Sequence, residues 1–412
     1  MKYLLTLFLW LFTCICHGQP HDLDHFIAQA EQNSPVLKDY RNQVLSIRID
    51  SQLLRASLRP QVNAISSNAY APIIKGWGYD EAITNIANIS ALIQANRNFI
   101  SRNNLSAQLR TISLQRQALL DTMRLSRQDL VRTITEQYIT AYGDLLTVQF
   151  TKEVFELMQK EEAALKKLTE ASVYKQTDYL TFYVTMQQQE LTYLQAQIQY
   201  NTDYLTLNYL TGTVDTTIGI VEAPRLSDTI ETDFFNSVFV SRFRTDSLRL
   251  VNERQLINYQ YKPRIGAYTD AGYNSSLQVM PYRNFGFSAG VSLTIPIYDG
   301  HQKQLKYQQL DLRERTRQTN RDFYVNQYRQ QAAQLRQQFR ALGLLVGKIG
   351  QQISYAKALI TANGKLLQVG DITMKDYVTA INNYLGAQNL LTQNNISRLR
   401  IVNQLNYWNL NR

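Results

Sequence analysis

Phe285-Gly286-Phe287-Ser288-Ala289-Gly290-Val291-Ser292-Leu293-Thr294-Ile295-Pro296-Ile297-Tyr298-Asp299-Gly300 is the stretch that decides the fold. Phe285, Phe287, Ala289, Val291, Leu293 and Ile295 alternate with glycine, serine and threonine. A period of two places one apolar and one small, polar face on a single strand. Such a strand suits a soluble sheet with one wet face, or a membrane barrel with lipid outside and water inside. Beyond Pro296 no proline occurs as far as Arg412, and the text becomes Gln-, Leu- and Arg-rich. A two-faced strand that feeds a very long helix is therefore the unit to explain.

The same unit occurs earlier in the chain. Ile89, Ala91, Ile93 and Ala95 alternate with Ser90, Leu92, Gln94 and Asn96, and a proline-free helical stretch follows. In that stretch Leu105, Leu109, Ile112, Leu119, Met123, Leu130, Ile134 and Tyr138 recur at steps of three, four or their sums. After Gly300, Leu335, Phe339, Leu342, Val346, Ile349, Ile353, Ala356 and Ile360 keep a 4-3-4-3 spacing. Both read as coiled-coil seams. At 1.5 Å per residue each helix is ~100 Å long, more than one compact globule can bury. Arg59-Pro60-Gln61-Val62 answers Lys262-Pro263-Arg264-Ile265, and Asp178-Tyr179-Leu180 answers Asp376-Tyr377-Val378. So long an internal duplication predicts two copies of one large unit. The first repeat is expected over 19–212, with strands at about 61–74 and 83–99 and a long helix at about 101–169. A linker is expected over 213–232. The second repeat spans 233–412, with strands at about 262–275 and 283–298 and a long helix at about 302–367. Each copy reads helix, helix, strand, strand, long helix, helix. In the second copy the two short helices are expected at Asp233–Arg242 and Asp246–Tyr259.

Residues 1–18 carry Lys2, an apolar core and small residues ahead of a cut after Gly18, the pattern of a secretory signal. Cys14 and Cys16 both lie inside it, so the mature chain is expected to hold no thiol. The net charge of +10 comes from dispersed lysines and arginines without a basic block, which argues against a nucleic-acid surface. Asp22, Asp24, His21 and His25 open the mature chain and read as a solvated helix end rather than a metal cluster. With four histidines, no phosphate loop and no nucleophile–base spacing, the chain is not expected to be an enzyme or to need a cofactor.

Four strands per chain cannot close a barrel, since closed membrane barrels start at about eight. Three chains bring twelve strands and six long helices, and a symmetric ring of them is a tube. At this point the sequence resembles a known family, the TolC-like outer-membrane efflux proteins (outer membrane factors). The resemblance rests on the strand-to-helix exit Val291–Gly300, the turn Val369-Gly370…Asp376-Tyr377 and the order of the repeat. It implies a mostly α fold with a membrane β-barrel contribution: a homotrimeric twelve-stranded barrel in the bacterial outer membrane, continued by an α-helical barrel in the periplasm. The implied function is a passive exit duct of a tripartite efflux or type I secretion system. Its implied partners are a periplasmic adaptor (membrane fusion protein), an inner-membrane RND or ABC-type pump and outer-membrane lipid. A periplasmic coiled-coil adaptor or scaffold is the alternative.

The resemblance also implies site residues. Asp178 and Asp376 stand where the family's periplasmic constriction carries carboxylates, although a helix N-terminus favours aspartate in any case. Ser172, Val173, Tyr174, Lys175, Val369, Gly370, Asp371 and Lys375 fall at the tips expected to latch the closed state or dock the adaptor. Ile372 and Leu367 replace an arginine and a tyrosine that latch some members, and Ser172 replaces the glycine of the first tip. Phe285, Phe287, Ala289, Val291, Leu293 and Ile295 are the expected lipid-facing row.

Overall fold

The computed structural model describes residues 22–79, 87–226, 237–278 and 280–408. The expected signal segment, His21 and part of the expected linker lie outside the described residues. The elements in chain order are α1 (Leu23–Asn33), α2 (Pro35–Ser57), β1 (Gln61–Tyr70), β2 (Ala87–Phe99), α3 (Arg102–Glu170) and α4 (Gln176–Leu210). There follow α5 (Val238–Gln260), β3 (Arg264–Ser275), β4 (Phe285–Thr294), α6 (Gln302–Val369) and α7 (Met374–Tyr407). Two compact units result, and each draws on both halves of the sequence. One holds Asp39–Thr122 with Val240–Phe323; the other holds the described residues of Met1–Lys38, Met123–Phe239 and Tyr324–Arg412.

The first unit contains the sheet, in the order β1-β2-β3-β4 and antiparallel throughout. Its register pairs Ala64 with Ile93, Ile93 with Ala271 and Ala271 with Phe287. Gly272 sits at φ +153°, and a Cβ there would lie 2.2 Å from the Ala91 carbonyl oxygen, so the close β2–β3 approach requires glycine. α5 is bound to α3 by polar groups: the buried Asn252 Nδ2 donates to Ala107 O (2.9 Å) and Thr111 Oγ1 (2.8 Å), and Thr245 Oγ1 donates to Asp121 Oδ2 (3.0 Å). The second repeat departs from the expected pair of short helices. Among the described residues α5 is one helix through Arg242 and Asp246, because no Pro or Gly interrupts that stretch. The first repeat has Ser34-Pro35 between α1 and α2, where Ser34 caps one helix and Pro35 begins the next.

The second unit is helical. One apolar cluster joins Met158 and Leu165 of α3, Phe182 of α4, Ile360 and Leu367 of α6, and Tyr377 and Ile381 of α7. A second packs Phe26 of α1 edge-on to Tyr138 and Tyr204, with ring centroids 5.7 and 6.1 Å away. Asp22 caps α1, accepting from the His25 amide at 2.9 Å. Ile134, Tyr138, Leu335, Ile349, Ala356 and Ile360, all from the expected seams, are buried.

Between these clusters lies an acid pair. Asp144 Oδ2 is cut off from solvent and meets no protein donor, and the carboxyl beside it is that of Asp203. Burial, then hydrogen bonding to Asp203 and its charge, push Asp144 up to about 7. Burial also opposes the charge on Asp203, but hydrogen bonds from Asp144, Gln199 and Gln137 outweigh it and hold Asp203 below the usual carboxylate range. The pair therefore shares one proton, carried by Asp144. A carboxyl whose pKa is raised on folding stabilises the folded chain fully below its unfolded value near 3.8 and loses that contribution as pH rises through about 7. Asp144→Asn keeps a donor to Asp203 without the charge. Its thermal unfolding temperature is expected to match wild type at pH 5 and exceed it at pH 8; equal temperatures at both values contradict the shared proton.

Candidate functional site

The two interhelical turns, α3–α4 and α6–α7, contain the tip residues, and both are built on one motif. At the end of α3 the Val173 amide donates to Leu168 O (2.9 Å) and the Ser172 amide to Thr169 O (2.9 Å). At the end of α6 the Asp371 amide donates to Leu366 O (3.0 Å) and the Gly370 amide to Leu367 O (3.2 Å). These 6→1 and 5→2 bonds make two Schellman turns, which need a left-handed residue at the cap. Gly370 takes that conformation at φ +81°, and Ser172 takes it at φ +62°. The serine adopts the glycine geometry at a steric cost of about 1 kcal/mol.

The turns lock onto each other. The Tyr174 hydroxyl bridges to the carbonyls of Leu367 (2.9 Å) and Ile372 (3.0 Å), on either side of the second turn. Val173 Cγ1 lies 3.0 Å from where a Cβ on Gly370 would sit, so the second turn has no room for a side chain there. Tyr174 thus ties the two tips within one chain, through the backbone of Leu367 and Ile372. Burial, then the nearby charges of Asp371 and Asp178, raise the Tyr174 pKa. Lys175, Asp371 and Lys375 are exposed, as are Val173 and Val369.

Asp178 and Asp376 occupy the same place in their helices, the third residue of α4 and of α7, but are held differently. Asp376 belongs to a capping box: its Oδ2 accepts from Thr373 Oγ1 (2.6 Å) and the Thr373 amide (3.3 Å), and its own amide donates to Thr373 Oγ1 (3.3 Å). At the start of α4 the cap residue is Lys175, whose side chain cannot accept, so Asp178 is half-buried without that reciprocal partner. Asp376 is committed to its helix end; Asp178 is the freer carboxylate.

The strand face follows from the register, since directly opposed residues share a side of the sheet. Phe285, Phe287, Ala289, Val291 and Leu293 stand opposite Tyr273, Ala271, Thr269, Ala267 and Ile265, which in turn oppose Ala91, Ile93, Ala95, Arg97 and Phe99. Ile295 follows β4 at the next position of the same parity and is exposed. The face is apolar except at Thr269 and Arg97 on these strands, and Arg97 lies over the Phe99 ring at 5.1 Å. The opposite face carries Ser288, Ser292, Asp270, Gln94, Asn96 and Asn63, with Ser288 Oγ donating to Asp270 Oδ2 (2.8 Å). Nothing covers the apolar face among the described residues: Phe287 is 87% and Val291 75% exposed.

A feature that the sequence reading missed lies on α4. Leu180, Val184, Leu191, Leu194, Ile198 and Leu205 step by four, seven, three, four and seven and are all exposed. This is a heptad seam without an occupant among the described residues. Its spacing is present in the sequence, but the opposite side of α4 carries a second apolar row, including Phe182, Met186, Ala196 and Tyr200, that obscures it.

No family model and no curated protein matches the sequence. Solved structures do. The outer-membrane channel OprN is 12% identical, with a TM-score of 0.74 over 94% of this chain and 89% of that one. The outer-membrane protein VceC of Vibrio cholerae is 14% identical, with a TM-score of 0.74 over 94% and 95%. The open-state MtrE outer-membrane channel of Neisseria gonorrhoeae is 12% identical, with a TM-score of 0.71 over 94% and 88%.

The tie between the tips is testable. Ser172→Gly is expected to slow hydrogen exchange at the turn amides about fivefold by removing left-handed strain. Tyr174→Phe, which loses a hydrogen bond worth about 1 kcal/mol, is expected to speed exchange in both turns by a similar factor. Unchanged exchange in the α6–α7 turn of Tyr174→Phe contradicts the tie. With its duplicated helical hairpins and four-stranded antiparallel sheet, this chain has the fold of the TolC-like outer-membrane channels.

Proposed function

We propose that this protein is the outer-membrane exit duct of a tripartite efflux or type I secretion system. In this reading it is a homotrimer, its strands closed into a twelve-stranded barrel in the bacterial outer membrane and its helices forming a periplasmic α-helical barrel. The observation that carries the proposal is the sheet: four strands of 10, 13, 12 and 10 residues, with an apolar face running across β2, β3 and β4 and, among the described residues, the outer edges of β1 and β4 unpaired. Strands of that length cross a bilayer when tilted, and a membrane sheet must close because lipid satisfies no backbone group. The bare α4 seam supports the same assembly, since a second copy supplies what a coiled-coil face needs. No helix among the described residues is long and apolar enough to cross a membrane, so in this reading the strands do so.

The duct carries no chemistry of its own. A periplasmic adaptor engages the tips, where Val173 and Val369 stand exposed beside Lys175 and Lys375, and an RND or ABC-type inner-membrane pump supplies the energy. Asp178 and Asp376 act as rings of three carboxylates at the periplasmic constriction, raising the local negative potential and favouring cations. Asp178 is the less engaged of the two for this role, since the Asp376 carboxylate accepts from Thr373. Tyr174 holds the tips of each copy closed.

The assembly is tested by gel migration of the outer-membrane fraction with and without heating. A heat-sensitive trimer band is expected for wild type, whereas a monomer in the soluble periplasmic fraction would falsify the duct. Phe287→Arg and Val291→Arg are expected to reduce that band strongly, because a charge on the lipid face costs ~2–4 kcal/mol near the midplane. Normal yield of both variants would place this face away from lipid.

The gate is tested in planar bilayers. Asp178→Asn is expected to weaken block of the channel by divalent cations, and Asp376→Asn to do so less. Unchanged block and conductance in both variants removes the two aspartates from the constriction.

A further inference from the structure

Where β4 gives way to α6, the apolar row does not end with the strand. Ile295 and Ile297 continue the parity of Phe285 to Leu293, and Ile297 and Tyr298 are 96% and 80% exposed. Immediately beyond them is a groove of about 380 Å³ bordered by Ile297, Tyr298, Lys303 and the rings of Tyr261 and Tyr307. Lys306 Nζ lies 5.4 Å from the Tyr261 ring centroid, Lys303 Nζ 5.9 Å from those of Tyr261 and Tyr307, and Lys262 Nζ 4.9 Å from that of Tyr259.

Among the described residues no carboxylate lies within ion-pair distance of these ammonium groups. Lys303 Nζ donates to Asn258 Oδ1 (3.0 Å) and Lys306 Nζ to Gln260 Oε1 (3.2 Å), both neutral amides, and no carboxylate among the described residues pairs with Lys262, Lys303 or Lys306. The carboxylate in the groove, Asp299, is already engaged: Oδ1 accepts from the His301 amide (3.0 Å) and Oδ2 from the Lys303 amide (2.9 Å). It caps the start of α6 and leaves the ammonium groups free to meet an anion. Tyrosine rings, lysines on flexible stems and a strip of exposed isoleucine are the side chains that suit the boundary between hydrocarbon and headgroup.

We propose that this junction binds a phospholipid with a net negative headgroup, its phosphate between Lys303 and Lys306 and an acyl chain along Ile295 and Ile297. The proposal rests on the outer-membrane reading above and names the lipid that the periplasmic leaflet offers this site. Charge complementarity and continuity with the apolar strand face select that occupant over a soluble anion, which has no use for the isoleucines.

The test is native mass spectrometry of the full-length protein purified in detergent, with phosphatidylglycerol or phosphatidylcholine added at equal concentration. Wild-type trimer is expected to retain phosphatidylglycerol selectively. The double variant Lys303→Gln/Lys306→Gln is expected to retain it about thirtyfold less, two surface charges being lost, while Lys303→Arg/Lys306→Arg keeps most of it. Equal retention of the two lipids by wild type, or undiminished selectivity in the Gln variant, overturns the proposal. Displacement of the lipid by millimolar inorganic phosphate alone also overturns it, by reducing the site to a free-anion site. Loss of the trimer in the Gln variant but not the Arg variant, with lipid selectivity kept by the remaining trimer, assigns the lysines to contact between copies and overturns it too. If wild type forms no heat-sensitive membrane trimer, the duct reading itself fails; if the trimer forms without lipid selectivity, only this inference does.

Discussion

The constraint on which the structure depends is that a β-sheet cannot end in lipid. β1 and β4 each present a row of backbone N–H and C=O groups to no strand among the described residues. In water such an edge is solvated, though open to unwanted pairing. In hydrocarbon every unpaired group costs several kcal/mol. The apolar face built from Phe285, Phe287, Val291, Leu293, Ile93 and Phe99 rules against plain water, because aromatic and branched side chains stay exposed there with no helix laid over them. In the proposed assembly, lipid against the face and neighbouring copies along the edges relieve both costs at once. The bare α4 seam makes the same demand in another unit of the chain: its apolar row is spaced for a helix that none of the described residues supplies. Two unsatisfied surfaces of different chemistry, one of backbone hydrogen bonds and one of apolar side chains, have a common solution in assembly.

The fold was legible where a single periodicity governs a stretch. β4 alternates without exception from Phe285 to Leu293 because glycine, serine and threonine fill its polar face. β1 is harder to read because Ser66 and Asn68 lie on the face shared with Val62 and Ala64, while Ile65 pairs with Leu92 on the other. Cross-strand register, which a linear sequence does not display, resolves that ambiguity. α4 was legible as a helix but not as an interface, since apolar rows on two sides blur the contrast on which amphipathic reading relies. The two short helices expected between Asp233 and Tyr259 leave a break around Thr245, yet that threonine is buried on a continuous helix and bonded to Asp121 on α3. At the tips, the equal six-residue offsets from Ser172 to Asp178 and from Gly370 to Asp376 were visible from the start. The role of Tyr174 was not, because its partners are main-chain carbonyls and leave no trace in residue type.

The two tips also show what duplication preserves and what it leaves free. Both copies keep the Schellman geometry and an aspartate at the third helical position, so backbone and helix dipole are treated alike. They differ in every side-chain bond that reinforces that geometry. The α6–α7 turn has glycine in the left-handed position and a complete capping box, and thus relaxed backbone with satisfied first-turn amides. The α3–α4 turn has serine in the left-handed position and lysine at the cap, and thus mild strain with an uncapped helix start. Strain plus the missing cap amounts to roughly 2 kcal/mol, enough to make the first turn the weaker of the two on its own. Tyr174 reverses part of that weakness by hydrogen bonding the first turn to the second. The weaker tip therefore gains stability from its contact with the stronger. A movement that breaks the Tyr174 hydroxyl contact unties the first turn from the second, whose own glycine and capping box remain. Of the two turns, α3–α4 is therefore the one whose geometry depends most on a single side-chain contact, that of the Tyr174 hydroxyl.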